Sequence, residues 1–145
     1  MPSPKNSTPL ALSAPPSRDF ILVLDLDETL VHFKDSKYLK DDQKLRVRPG
    51  VDQFLKTLLP HYKFVIFTAA QKMYAEFVMA KLDPKGQYFE KKFFHRDHCK
   101  PIGRHQVKDL GLVLKNVVTQ KPEQKVAPID DLNKIIIIDN LAESF

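Results

Sequence analysis

The sequence predicts an α/β fold built on a parallel sheet with helices on its faces. Three short apolar runs, residues 20–26, 63–67 and 135–138, are separated by stretches of helical periodicity. Continuous apolar runs are typical of strands buried on both faces, and their alternation with helices indicates parallel βαβ units. Each run also ends in polar residues. Because the carboxyl ends of parallel strands meet at one edge of the sheet, we expect a ligand site at that edge.

The first strand, residues 20–26, ends in two acids. A charged loop over residues 34–44 and a short strand over residues 45–48 are expected next. Pro49 and the glycine after it then break the chain before a helix. The apolar residues of this helix recur at a spacing of three and four, and Pro60 ends it.

The second buried strand precedes a predicted helix over residues 71–82. Residues 91–95 have the composition of an edge strand. Two polar stretches, residues 103–108 and 115–134, are expected as loops, and the second interrupts the chain before the last buried strand.

Composition bounds the class of protein. The 145 residues suffice for one domain, which we assign to residues 19–145; the Pro- and Ser-rich residues 1–18 are expected to be a disordered leader. No apolar run approaches the roughly 20 residues that a membrane-spanning helix needs. The single cysteine, Cys99, excludes an intrachain disulfide and predicts a reducing compartment, the nucleus or the cytoplasm. The net charge of +5 and the pI near 9.3 favour anionic partners.

Polar side chains that can bind a cation follow three of the strands. Asp25 and Asp27 follow the first, Thr68 the second, and Asp139 with Asn140 the last. Two carboxylates placed two positions apart, where a strand leaves the core, lower stability but can hold a hard cation. One of them can also act as a nucleophile while the other moves protons.

The stretch DLDETLVH, from residue 25, resembles the DxDx(T/V) motif of the haloacid dehalogenase superfamily. More narrowly, it resembles the phosphatases of the RNA polymerase II C-terminal domain and their small relatives, also called the NLI-interacting-factor domain. Five further pieces follow in the family's order: RPGVDQFL from residue 48, FTAAQKMYA from 67, HRDHC from 95, VKDL from 107 and IIIIDN from 135. The resemblance covers residues 20–145 and implies a Rossmann-like fold.

The resemblance implies a phosphoric monoester hydrolase that removes phosphate from phosphoserine or phosphothreonine in proteins. Asp25 would attack phosphorus and form an aspartyl-phosphate. Asp27 would protonate the leaving alcohol and then activate water. The electrostatics agree with this reading, because a dianionic monoester repels a carboxylate nucleophile until a cation and a lysine cancel its charge.

The resemblance also implies residues that bind phosphate and metal. The substrate phosphate would contact Thr68, Lys108 and Arg96. Mg²⁺ would be the cofactor, held by Asp25, Asp27 (through its main-chain carbonyl), Asn140 and Asp139. The implied partner is a phosphorylated protein or peptide, such as the C-terminal domain of RNA polymerase II. We expect a monomer without nucleic-acid binding.

The sequence departs from the family pattern in three respects. Residues 115–134 look like an insertion between the VKDL motif and the last strand. The segment between the first strand and the RPG helix, residues 33–47, is short, which predicts a small or absent cap. The chain stops five residues after Asn140, where family members continue with another strand and a helix. We therefore expect that strand and helix to be missing and an apolar sheet edge to be exposed.

Alternative readings remain beside the phosphatase. The same fold could serve as a non-catalytic scaffold, as in a mitochondrial import-translocase subunit of this family, or as a small-molecule phosphatase of the wider superfamily. The basic residues 91–108 could guide acidic phosphopeptides, contact nucleic acid or form a solvated surface. A zinc site is the weaker reading of four nearby residues, whose spacing matches no familiar zinc site: His95, His98, Cys99 and His105.

Overall fold

The chain alternates strands and helices in the computed structural model, which describes residues 20–117, 129–141 and 144. In chain order the elements are β1 (Phe20–Leu24), β2 (Val31–Phe33), α1 (Asp41–Lys44), β3 (Leu45–Val47), α2 (Val51–Leu58), β4 (Tyr62–Ile66), α3 (Lys72–Leu82), β5 (Lys100–Ile102), β6 (His105–Val107), α4 (Leu110–Val117) and β7 (Ile135–Ile138). The described residues also form the 3₁₀ turns Arg96–His98 and Ile129–Lys134.

A three-stranded parallel sheet in the order β4-β1-β7 forms the centre of the fold. In its register Leu24 lies between Ile66 and Ile138, so the three strands end at the same level. Beyond the strands, Phe67 N–H donates to the Leu24 carbonyl (3.0 Å) and Asp25 N–H donates to the Ile138 carbonyl (3.1 Å). The α/β architecture and the convergence of the three strand ends are thus confirmed.

Apolar side chains cover both faces of this sheet. Leu22 and Leu24 of β1 point to one face, which packs against α2 and α3 around Leu55 and Val78. Ile21 and Val23 of β1 point to the other face. There they pack with Phe67, which follows β4, and with Val113 of α4. Burial on both sides explains why β1 is a continuous apolar run rather than an alternating one, whereas burial alternates along β7.

The segment between β1 and α2 forms a small cap. Strands β2 and β3 pair antiparallel, with Val31 opposite Val47, and the one-turn helix α1 lies between them. Gly50, with φ of 88°, then turns the chain into α2. A small cap was expected, but α1 corrects the prediction of an uninterrupted loop over residues 34–44, and β2 was not predicted.

Three other predictions are wrong in part. Residues 91–95 form no strand; Phe94 makes an isolated parallel bridge with Phe67 beside the β4 edge. Residues 103–108 are not a loop, since β6 pairs there with β5. Of the predicted loop 115–134, the first residues belong to α4 and the last to a 3₁₀ turn, and the rest lies outside the described residues. The predicted leader, residues 1–18, also lies outside them.

Within the described residues, β7 has a neighbouring strand on one side only. Ile136 is 43% exposed, Ile138 37% and Leu141 54%, so apolar side chains are partly exposed along this edge. No helix in the described part of the chain is long and apolar enough to cross a membrane.

Candidate active site

Three charged side chains from separate segments meet at the carboxyl edge of the sheet. Asp25 follows β1, Lys108 follows β6 and Asp139 follows β7, and all three side chains are buried. Nζ of Lys108 lies 3.3 Å from Oδ1 of Asp25 and contacts Oδ2 of Asp139 more closely. Burial raises the pKa of Asp25 to about 6; the Lys108 ammonium lowers it and the Asp139 carboxylate raises it. A lysine thus lies between two buried acids.

Contacts on both sides fix Lys108 at this edge. Its main-chain N–H donates to the Ser144 carbonyl at 2.7 Å. The next residue, Asp109, accepts a hydrogen bond from the N–H of Gly111 (2.9 Å) at the start of α4 and pairs with Lys100 of β5 at 3.1 Å. The hairpin and the helix therefore hold the lysine from either side.

Asn140 adds an amide to this cluster. One terminal atom of the amide lies 3.2 Å from Oδ2 of Asp25 and 3.1 Å from Oδ1 of Asp139. If this atom is the nitrogen, it donates to both carboxylates. If it is the oxygen, three oxygen atoms converge without a proton between them, an arrangement that a bound cation stabilises.

The oxygen atoms here suit Mg²⁺, which binds one or two carboxylates together with carbonyl oxygens and waters. No group of three or more His, Cys, Asp or Glu side chains suited to a metal occurs within residues 20–117, 129–141 and 144. A site here would instead combine the Asp25 and Asp139 carboxylates with neutral oxygens. The carbonyl of Asp27 is available, because none of the described residues donates a hydrogen bond to it, whereas the carbonyls of Leu26 and Glu28 accept.

Thr68 lies on the loop that follows the neighbouring strand, β4, and Arg96, at the start of the 3₁₀ turn after α3, contacts that loop. Thr68 is 1% exposed, and its Oγ1 accepts a hydrogen bond from the N–H of Ala70 at 3.1 Å. Continuation of the sheet register brings it level with Leu26, next to Asp25. Arg96 is exposed, and its Nε donates to the Ala69 carbonyl at 2.9 Å. Arg96 therefore lies at the rim, against the loop that carries Thr68.

Asp27 is half-buried, and its carboxylate contacts α3. Its Oδ1 accepts a hydrogen bond of 2.5 Å from the hydroxyl of Tyr74. Burial and then this bond raise the pKa of Tyr74, so the phenol keeps its proton. Sequence reasoning did not single out Tyr74, although it lies in the FTAAQKMYA stretch.

Arg48 is a second residue that sequence reasoning left without a role. Its Nε donates to the Thr29 carbonyl at 2.7 Å and its guanidinium also donates to the Glu28 carbonyl at 3.1 Å. Glu28 has a φ of 61°, in the left-handed region that non-glycine residues rarely adopt. The arginine thus braces a strained turn between Asp27 and Thr29. The signal available from the sequence was its place at the start of RPGVDQFL.

A cavity of about 490 Å³ opens next to this turn. Its lining includes Leu30, Phe54, Ile138, Asp139 and Asn140. Asp27 and Thr68 do not line it, so the cavity borders the side of the cluster formed by Asp139 and Asn140.

The sheet topology and the acids at its edge define an α/β protein of the haloacid dehalogenase type. The sequence matches the family described as NLI interacting factor-like phosphatase over residues 20–145, and the chain belongs to that family.

Its relatives include a CTD small phosphatase-like protein 3 of Caenorhabditis elegans, 30% identical over 143 residues that cover 88% of this chain and 43% of that protein. CTD nuclear envelope phosphatase 1B of Danio rerio is 30% identical, over 83% of this chain and 51% of that protein. The mitochondrial import inner membrane translocase subunit TIM50 of Phytophthora infestans is 35% identical, over 83% of this chain and 24% of that protein. The chain spans about half or less of the length of these relatives.

Solved structures share the fold. The RNA polymerase II CTD phosphatase Fcp1 superposes with a TM-score of 0.60 at 19% identity, over 87% of this chain and 38% of the other. A fission yeast Fcp1 variant bound to beryllium fluoride gives a TM-score of 0.64 at 19% identity, over 88% of this chain and 39% of the other.

Proposed function

We propose that this chain is a magnesium-dependent protein phosphatase that hydrolyses phosphoserine or phosphothreonine through an aspartyl-phosphate on Asp25. The observation that carries the proposal is the contact of one buried lysine, Lys108, with Asp25 and Asp139 at the edge of the sheet. A buried ammonium group there can offset the charge of an incoming phosphate dianion. Membership in a family of phosphatases supports the reaction class.

The proposed reaction has two displacements at phosphorus. In the first, an oxygen of Asp25 bonds to phosphorus and the ester P–O bond breaks, while Asp27 gives its proton to the departing alcohol oxygen. In the second, Asp27 takes a proton from water, the water oxygen bonds to phosphorus, and the bond to Asp25 breaks. Inorganic phosphate leaves and both acids return to their starting forms.

The two oxygens of Asp25 have different neighbours, which suggests different roles. Oδ1 faces Lys108. Oδ2 faces the amide of Asn140, which also contacts Asp139. We assign Oδ1 to the attack on phosphorus. Oδ2, with Asp139, Asn140 and the Asp27 carbonyl, would hold a magnesium ion, which would supply positive charge against the phosphate oxygens and favour the ionised form of Asp25.

Thr68 and Arg96 complete the proposed phosphate cradle. Thr68 would donate from its hydroxyl while the Ala70 N–H holds the oxygen in place. Arg96 is anchored through Nε, and the remaining nitrogens of its guanidinium, which have no hydrogen-bond partner among the described residues, would meet an oxygen of the substrate at the rim.

The proposed substrate is a phosphorylated segment of a protein, because several relatives carry the names of CTD phosphatases. The C-terminal domain of RNA polymerase II is therefore one candidate substrate. We propose that the protein acts as a monomer. The relatives are named for different compartments, the nuclear envelope and the mitochondrial inner membrane, and therefore do not indicate one location. We propose the nucleus or the cytoplasm because the chain has a single cysteine, which fits a reducing compartment.

Phosphate release from p-nitrophenyl phosphate and from a phosphoserine peptide tests the proposal. Wild-type protein should release phosphate from both with Mg²⁺ and lose activity in EDTA. Asp25→Asn should lower turnover by about 10³-fold or more, because the nucleophile is gone. Asp35→Asn, a matched change at an exposed acid, should retain wild-type turnover. Turnover by Asp25→Asn close to the wild-type level would exclude the mechanism.

A non-catalytic binding role is the second candidate, because a translocase subunit is among the relatives. Failure of the wild-type protein to release phosphate from either substrate, while it still binds a protein segment, would favour this role. Release from the aryl phosphate alone would favour a small-molecule phosphatase.

A further inference from the structure

A basic pocket lies next to the candidate active site, beside the start of α3. It has a volume of about 270 Å³ and is lined by Lys72, Lys91, Lys92, Phe93, His95 and His98. Five of these six side chains carry nitrogen atoms that can donate hydrogen bonds, and none is acidic. The lining therefore favours an anion.

The lysines of this basic pocket are poorly neutralised. Lys72 has one distant carboxylate, Glu76, at 3.9 Å. Lys91 and Lys92 form no ion pair with any residue in the described ranges. Two adjacent exposed lysines without counterions can turn toward a bound anion at little conformational cost.

The histidines add to this character. Their rings lie 4.4 Å apart, between centroids, and Nδ1 of His98 accepts a hydrogen bond from the N–H of His95 at 3.0 Å. Nδ1 of His95 is buried and has no hydrogen-bond partner in the described part of the chain; the exposed carboxylate of Asp97 lies 3.8 Å from it. Burial, followed by His95 and Lys92, lowers the pKa of His98. An anion in the basic pocket would relieve this clustering of positive charge.

The basic pocket is joined to the active-site loop through the main chain. Thr68 N–H donates to the Phe94 carbonyl, and Arg96 N–H donates to the Ala70 carbonyl, each at 2.9 Å. Lys72 follows Thr68 by four residues, so their Cα atoms are at most about 15 Å apart. An extended peptide covers roughly 3.3–3.6 Å per residue, and about four residues therefore bridge that distance.

We propose that the basic pocket is an accessory phosphate-binding site that holds a second phosphate group of a multiply phosphorylated peptide while the first is bound at Asp25. The inference rests on the proposed phosphatase function and specifies its substrate class. Such a second site would make the protein selective for segments with two phosphoresidues about two to four positions apart.

Fluorescence anisotropy with labelled peptides tests this proposal independently of turnover. The protein is Asp25→Asn with Mg²⁺, and the peptides carry one phosphoserine or two at spacings of one to eight residues. We expect two phosphates to bind about 5- to 10-fold more tightly than one, with the maximum at a spacing of four or fewer. Adding Lys91→Gln and Lys92→Gln should reduce this preference to near one.

The matched control adds Lys81→Gln and Lys85→Gln, which remove the same charge from exposed positions at the other end of α3 and beyond it. This control should keep the preference for two phosphates. An equal preference after Lys91→Gln and Lys92→Gln, or no dependence on spacing, would overturn the proposal. Equal competition by a single-stranded RNA would also overturn it, since the surface would then be a general anion binder. Phosphate release by the wild-type protein is measured separately, so failure of the phosphatase function is distinguished from failure of the pocket.

Discussion

The hydroxyl of Tyr74 donates a hydrogen bond of 2.5 Å to Oδ1 of Asp27, which joins the first turn of α3 to the acidic turn after β1. The Tyr74 ring also packs edge-on against Phe33 of β2, with ring centroids 5.8 Å apart. The phenol therefore holds the carboxylate proposed to move protons, and a ring from the small cap holds the phenol.

Tyr74→Phe should impair the proton transfer to the leaving group. We expect kcat/KM on a phosphoserine peptide to fall about 10-fold. On p-nitrophenyl phosphate kcat/KM should fall less, because nitrophenolate leaves without a proton. The control is Tyr38→Phe, at a residue that is 84% exposed. An equal loss on the two substrates would show that Tyr74 does not act through Asp27.

Lys108 balances the charge of Asp25 and Asp139, so its removal should affect stability as well as activity. Lys108→Met should lower kcat by about 10²- to 10³-fold. It should also lower the free energy of unfolding in EDTA by about 3–5 kcal/mol, because two buried carboxylates lose their cation. Urea denaturation measures the second effect.

A double-mutant cycle separates charge from packing at this lysine. Asp139→Asn added to Lys108→Met should restore part of the lost stability, since one of the uncompensated carboxylates is removed. Lys100→Met is the control, because Lys100 pairs with Asp109 at an exposed position and contributes about 1 kcal/mol or less. Additive losses in the cycle would contradict the charge argument.

The sequence predicts the sheet well because its strands are short, largely apolar runs. Ile135–Ile138 and the apolar part of β1 are short runs that contain β-branched residues, which favour strands. The β5–β6 hairpin was missed because its residues, including Pro101 and Gln106, are polar or exposed and lack alternation. Helix α1 was missed because its four residues contain no apolar side chain.

The sequence predicts which residues of the site lie at the ends of strands, but not the contacts between their side chains and the helices. Strand order places Asp25, Thr68 and Asp139 at one edge whatever their side chains do. The contact between Tyr74 and Asp27 joins residues 47 positions apart and follows from how α3 packs, which no local pattern reports. The same holds for the basic pocket, whose lysines come from separate segments.

Asp83 closes the loop after α3 and should be important for stability rather than catalysis. It is buried, and its carboxylate accepts hydrogen bonds from the main-chain N–H groups of Gln87 (2.8 Å), Tyr88 (2.8 Å) and Phe89 (3.1 Å). Asp83→Ala leaves these donors without a partner, so the free energy of unfolding should fall by about 2–4 kcal/mol in urea denaturation.

Two further variants sharpen the test at this loop. Asp83→Asn keeps one acceptor oxygen and should lose less stability than Asp83→Ala. Asp35→Ala, at an exposed acid, should change stability by no more than about 0.5 kcal/mol. A loss below about 1 kcal/mol for Asp83→Ala would contradict the assigned role.

His98 should make the stability of the fold depend on pH. Burial, together with the charges of His95 and Lys92, lowers the pKa of His98 from 6.5, and the Asp97 carboxylate opposes the shift. The folded protein therefore takes up the proton less readily than the unfolded chain. Stability is complete above pH 6.5 and falls as the pH drops through 6.5 toward the lower pKa of the folded state.

His98→Asn tests this dependence, because the asparagine oxygen can accept the hydrogen bond from His95 N–H without titrating. The variant loses ring contacts with Phe94 and should be less stable at every pH, but its stability should change less between pH 7.5 and pH 5.5 than that of the wild type. Urea denaturation at the two pH values measures the difference, with His105→Asn on the exposed β6 as the matched control. If His98→Asn and the wild type lose the same free energy of unfolding over this interval, His98 is not the group responsible.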